Sequence, residues 1–199
     1  MKQIIESITQ EEWQQFQNVN NQGGRASCQD DYAQFHIMRS SQFSVWPDEL
    51  LSSYYDDLVR ARDEGQNLVF NKYAYMMEKT DPIGYEKLKH VLPVISEERR
   101  KYLEPTVQIH VKWAEEFAEK YPHYASKGRF IHGSDEVCGM TSIETYQRGE
   151  LYSYGMNTQN LYCDFVLECE KNDVNLTYLV REQMAKMYNY KSIEEMERS

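Results

Sequence analysis

The sequence predicts an all-α protein, and three observations carry that prediction. Apolar residues recur at helical spacing through most of the chain. Glycine, proline and Asp/Asn/Ser positions punctuate it where helices would start and stop. No convincing pair of alternating segments, and no Asn-Gly hairpin signal, argues for strands. The 199 residues are read as one helical domain over 1–199, with halves 1–95 and 96–199.

The elements follow in order. Over 2–19, Ile4, Ile5, Ile8, Trp13, Phe16 and Val19 lie largely on helical spacing, and Gly23 and Gly24 offer positive φ after them. Asp30 or Asp31 caps a second helix carrying Phe35, Ile37, Met38 and Phe43. Trp46-Pro47-Asp48 starts a third, which stops at Gly65. A fourth covers 67–79, Asp81-Pro82-Ile83-Gly84 breaks it, and Tyr85–Val91 is a short helix. Ser96 caps a long helix reaching about Lys120, in which Pro105 predicts a kink or split. Residues 122–140 read as the longest irregular stretch. Helices follow at about 141–154, 157–171, 175–188 and 191–197.

The formal net charge is -10 and the pI about 5.0. Such a surface repels phosphate backbones, so no nucleic-acid partner is expected. The strongest basic cluster, Glu98-Arg99-Arg100-Lys101, reads as a solvated helix face. Sixteen tyrosines read as helix-packing residues with wet hydroxyl ends. Cys28, Cys138, Cys163 and Cys169 form no CxxC pair, and Cys163 and Cys169 fall on nearly opposite faces of one helix. Reduced thiols, and no signal peptide or membrane-length apolar run, predict a cytoplasmic protein with no membrane partner.

The halves resemble each other. At an offset of 108, Tyr54 falls on Tyr162, Asp56 on Asp164, Asn67 on Asn175, Met76 on Met184 and Glu86 on Glu194. With small gaps, Trp13 and Phe16 meet Trp113 and Phe117, and Gly24-Arg25 meets Gly128-Arg129. Asp30-Asp31 meets Asp135-Glu136, and Arg39 meets Arg148. A pseudo-two-fold arrangement would face the two Gly-Arg loops towards a shared central site.

Candidate chemistry concentrates in those loops. Asp30, Asp31 and Cys28 form the candidate catalytic set. The carboxylates offer acid/base or cation-binding capacity, and a thiol near a helix N-terminus is activated if a histidine (His36, His110 or His132) folds against it. Arg25, Gln29, Arg39, Arg129, Asp135, Glu136, Glu144, Tyr146 and Arg148 form the candidate ligand-binding set, since guanidinium suits bidentate anion recognition. Each has a structural alternative: a cap for one of the two aspartates, an ion pair pinning the loop for Arg25, a buried thiol for Cys28, and a helix-stabilising i,i+4 pair for Glu144 and Arg148. GxxxxGK[ST], GxGxxG and Glu-x-x-His are absent, so neither a nucleotide loop nor a metal site is expected, and no cofactor is indicated.

Several blocks resemble an uncharacterised bacterial family, domain of unknown function 4125. They are Asn20-Asn21-Gln22-Gly23-Gly24-Arg25-Ala26-Ser27-Cys28-Gln29-Asp30-Asp31, Ile37-Met38-Arg39 with Ser41-Gln42-Phe43, and Lys72-Tyr73-Ala74 with Met76-Met77-Glu78. Trp113 with Glu115-Glu116-Phe117-Ala118, and Glu144-Thr145-Tyr146 with Arg148-Gly149-Glu150-Leu151, complete them. The resemblance implies a small bacterial protein and carries no activity over. The loop His132–Met140 is less polar than that family's pattern, which argues against a role for Cys138. The residues support a cytoplasmic pocket protein or enzyme acting on a small polar or anionic molecule. The alternatives are a non-catalytic interaction module with an acidic, tyrosine-rich surface, and a structural homodimer.

Overall fold

The computed structural model describes residues 2–20, 23–136 and 140–199. Among these residues the chain is helical, with no strand. The helices are α1 (Lys2–Gln17), α2 (Tyr32–Phe43), α3 (Asp48–Asp63), α4 (Leu68–Thr80), α5 (Pro82–Leu88) and α6 (Glu97–Lys120). They continue as α7 (Pro122–Ser126), α8 (Ile143–Ser153), α9 (Met156–Lys171), α10 (Leu176–Met187) and α11 (Ile193–Arg198).

The local signals explain most boundaries. Asp31 accepts the Gln34 N–H and caps α2, and Ser96 accepts the Arg99 N–H and caps α6. Gly65 takes φ of +70° just after α3, the left-handed turn that ends it, and Gly24 takes φ of +87° in the loop after α1. Three expectations need correction. Pro105 does not split α6: Pro105 and Lys101, whose carbonyl it cannot bond, are both exposed, so the missing hydrogen bond falls on the solvent face. Asp81-Pro82 both breaks and restarts the helix, because Asp81 accepts the Gly84 N–H and Pro82 fits the first turn of α5. The 122–140 stretch contains α7 and a 3₁₀ turn at Gly133–Asp135.

Contacts within the two halves correspond. Helix α1 packs on α2, α3 and α4, and α6 packs on α8, α9 and α10. Between them α4 lies along α8, α10 along α2, and α3 along α9. Asn67 caps α4 and donates to the Gln15 carbonyl at 2.8 Å. Asn175 caps α10 and donates to the Trp113 carbonyl at 3.1 Å. The Asn67 contact thus falls on Gln15 and the Asn175 contact on Trp113, not on the Trp13–Trp113 pair aligned in the sequence. Trp13 packs in an aromatic group with Phe16, Tyr32 and Phe35, whereas Trp113 is buried with its indole N–H on Glu170.

At the α3–α9 crossing, Trp46, Tyr54, Tyr154 and Tyr162 pack ring to ring, with centroids 4.9–6.0 Å apart. Three of these tyrosines differ from the wet-ended expectation: Tyr54, Tyr154 and Tyr162 are buried, with hydroxyls inside the protein. The basic cluster also differs from a purely solvated face. Arg99 reaches Gln159 and Asn160 on α9, and Arg100 reaches Glu78 on α4. Cys28, Cys163 and Cys169 are free thiols, and Cys138 lies outside the described residues.

Candidate functional site

Helical phase brings a charged group into the centre. Glu12 of α1, Arg39 of α2, Lys72 of α4 and Glu150 of α8 all occupy inward positions and are at least 93% buried. Arg39 binds Glu12 bidentately, Nε to Oε2 and Nη2 to Oε1, both at 2.6 Å. Its Nη2 also stands 2.7 Å from Glu150 Oε1, too far off line for a hydrogen bond, so this second contact is mainly electrostatic. The Gln42 side-chain carbonyl accepts from Arg39 Nη1 at 2.7 Å. Tyr54 donates to Glu12 at 2.5 Å. Lys72 donates to the Tyr146 hydroxyl at 3.0 Å and lies 3.8 Å from Glu150.

Two cations and two carboxylates leave this cluster neutral. Burial alone would raise the Glu150 carboxyl, but Arg39 and Lys72 bring it below its usual range. Burial also opposes the charge on Lys72, and Tyr146 and Glu150 overcome it.

Beside the cluster lies a chamber of about 220 Å³. Its floor includes Arg39, Glu150, Gln147, His110 and Tyr162, and Trp46 and Leu176 form apolar wall. The Gln147 amide donates to the Tyr162 hydroxyl at 3.2 Å, and that hydroxyl stands 2.8 Å from His110 Nε2. Which of the two donates follows the tautomer of the imidazole. Burial holds its pKa down at about 4, so the ring is neutral at neutral pH. Tyr54, by contrast, donates to a carboxylate, Glu12.

A second chamber of about 510 Å³ adjoins it, with part of its lining in common. Arg129 and Arg181 line both, along with Met38, Ile143 and Met184. Arg129 lies over the Tyr146 ring at 4.9 Å and donates to the Thr141 carbonyl at 3.1 Å. Arg181 lies over the Tyr124 ring at 5.6 Å with Nη1 against the Met184 sulfur. Neither has a carboxylate partner among the described residues. The outer lining contains no acid among those residues, and the inner one contains only Glu150, already balanced by Arg39 and Lys72.

Of the residues singled out from sequence, Arg39, Arg129 and Tyr146 come together on this cleft. The others stand elsewhere. Arg25 pairs with Asp30 at 2.8 Å and also bonds Gln17 and the Gln29 carbonyl. The buried Gln29 amide ties the loop to the Phe16 and Val19 carbonyls, and Asp31 is occupied as a cap. Cys28 is exposed. His36 contacts Glu6, and His132 contacts Glu115 at 3.1 Å. Asp135 is exposed and near the Ser134 hydroxyl. Glu136 accepts from the Ser142 hydroxyl and N–H at 2.6 and 2.8 Å. Arg148 binds Glu104 and Glu144, and Glu144 also accepts the Gly133 N–H.

Sequence reasoning missed Glu12, Lys72, Gln147 and Arg181, and did not place His110 in the ligand-binding set. The available signal was a charged or polar residue on the apolar phase of its helix. Glu12 sits between Ile8 and Phe16, Lys72 between Val69 and Met76, and His110 between Val107 and Ala114.

No group of three or more His, Cys, Asp and Glu side chains is arranged to hold a metal ion among the described residues. No helix is long and apolar enough to cross a membrane among those residues. The model of one protein family, described as Protein of unknown function (DUF4125), matches residues 2–198. Nothing matches among curated proteins or solved structures.

Proposed function

The chain belongs to that family, which brings no assigned chemistry with it, and we propose from the cleft that the protein binds a small anionic organic molecule at its centre. One observation carries the reading. In a chain of net charge -10, the central cleft presents Arg129 and Arg181 with no carboxylate opposite them among the described residues. Two guanidiniums lining one concave cleft attract an anion more strongly than a single isolated group. The neutral floor below adds directional contacts without cancelling that charge. His110 Nε2 and the Tyr162 hydroxyl are engaged with each other, so a ligand reaching the floor competes for a preset hydrogen-bond pair. Any proton transfer there would fall to this pair.

The two halves, 1–95 and 96–199, give the site its asymmetry in this reading. They are copies of one helical unit, supported by the matched asparagine caps and helix contacts. One copy has closed its Tyr54 position with a charged pair, and the other has kept a neutral histidine facing the cleft.

Thermal shift with orthophosphate and succinate tests the proposal. Melting should rise with either anion. Arg129→Gln/Arg181→Gln should abolish the rise while leaving melting without ligand within about 1 kcal/mol of the original, since neither guanidinium has a buried carboxylate partner to strand. An unaltered anion response in that variant would remove the two arginines from the site.

A second reading, an interaction surface, draws on a separate groove of about 640 Å³ lined in part by Val94, Tyr102 and Met156. Val94 is 94% and Met156 72% exposed. An oligomer in solution that dissociates on Val94→Asp/Met156→Asp would favour it.

A further inference from the structure

The outer chamber carries a ligand class that a bare small anion would not need. It is larger than the inner one, and Phe117, Ala118, Ala125, Phe130, Ile131 and Ile143 contribute its walls. Its cations are Lys127, Arg129 and Arg181, and its described lining includes no Asp or Glu, although the chain has 32 acidic residues. Met38, at the junction of the chambers, is 45% exposed, and Phe130 is 37% exposed. The apolar wall of the outer chamber and the polar floor of the inner one therefore adjoin the same two guanidiniums, which line both.

We infer that the ligand is an amphipathic anion: a carboxylate or phosphate-monoester head on an apolar chain or ring. The head sits between Arg129 and Arg181, where N–H donors left over from the Thr141 and Met184 contacts are available. The apolar body lies outward along Phe117, Phe130 and Ile131. The inner chamber, about 220 Å³, is below the usual size for a drug-sized ligand and takes only the head and its water. Orientation follows from charge: the opposite placement would put an apolar end against Arg39 and Glu150 and strip their surroundings of polar contact. This inference rests on the anion-binding reading of the same cleft and adds the apolar body to it.

Tryptophan fluorescence provides the readout, because Trp46 lines the inner chamber and Trp113 stands edge-on to His110 with ring centroids 5.1 Å apart. The full chain is titrated with decanoate, decyl phosphate, decanol and acetate, all below micelle-forming concentrations. Decanoate or decyl phosphate should bind at least about tenfold tighter than both decanol and acetate, and the tighter of the two identifies the head. Arg129→Gln/Arg181→Gln should weaken the amphipathic anion about tenfold and leave decanol unchanged. Phe130→Ser should weaken it while leaving orthophosphate binding unchanged.

Decanol binding as tightly as decanoate would overturn the inference. Acetate binding as tightly as decanoate would also overturn it, while leaving the small-anion reading intact. Binding of none of these anions, with the variants folded by circular dichroism, would remove both.

Discussion

Replacing Arg39 by methionine strands a buried charge, and the structure says which one. Lys72 still stands 3.8 Å from Glu150 and can neutralise it. Glu12 keeps only neutral donors, chiefly the Tyr54 hydroxyl at 2.5 Å. Removing one partner of a buried pair costs about 3–5 kcal/mol, because the survivor remains desolvated. At roughly 2–4 °C per kcal/mol for a chain of this size, Arg39→Met should lower the melting temperature by about 6–20 °C. Circular dichroism melts at pH 7 measure it. The charge ledger makes a sharper second test. Arg39→Met/Glu12→Gln leaves one cation, Lys72, with one anion, Glu150. The double variant should therefore melt higher than the single one, although it carries more substitutions. A loss below about 1 kcal/mol for Arg39→Met, or a double variant less stable than the single, would refute the reasoning that unpaired burial rather than lost contact dominates.

Three further outcomes follow from the same geometry. The His110 pKa of about 4 lies below its unfolded value of about 6.5, so the unfolded chain takes up this proton first. That contribution to stability is complete above about pH 6.5 and lost as pH falls towards 4; His110→Gln should remove roughly 2–3 kcal/mol of this pH dependence in urea titrations. Gly149→Ala should destabilise by about 1–2 kcal/mol in urea unfolding even after its gain in helix propensity, because the new Cβ would stand 2.7 Å from Met76 Cγ and 2.8 Å from the Lys72 carbonyl. Ser96→Ala should cost about 1 kcal/mol by the same measurement, through loss of the cap on the Arg99 N–H.

The helices were legible because they had local causes: a cap at Asp31 or Ser96, a left-handed glycine at Gly65, and apolar spacing between them. The split at Pro105 did not occur because its cost depends on which face of α6 it occupies, and that face is set by packing against α8, α9 and α10. The site was less legible for the same reason. Arg25, Asp30 and Asp31 are conspicuous as a short polar run, yet their partners are one another and neighbouring backbone. Glu12, Arg39, Lys72 and Glu150 come from four different helices, and no short segment contains two of them. Only Arg39 stood out beforehand, through its pairing with Arg148 between the halves. The structure gives those two arginines different partners: Arg39 binds Glu12 and Glu150 in the interior, and Arg148 binds Glu104 and Glu144 with a quarter of its side chain exposed.

The packing of α4 along α8 and of α10 along α2 has a consequence for how the chain acquires its fold. These contacts are exchanged crosswise, each joining a helix of residues 1–95 to one of residues 96–199. Glu12 and Arg39 likewise come from the first half, while Glu150 comes from the second. A nascent chain that has emerged only to residue 95 holds Arg39 and Lys72 without Glu150, and α4 without the helix that covers it. It must wait, with apolar surface open, for α8 to be synthesised. Closure of contacts so distant in sequence sets the pace of folding and makes the two halves rise and fall in one transition.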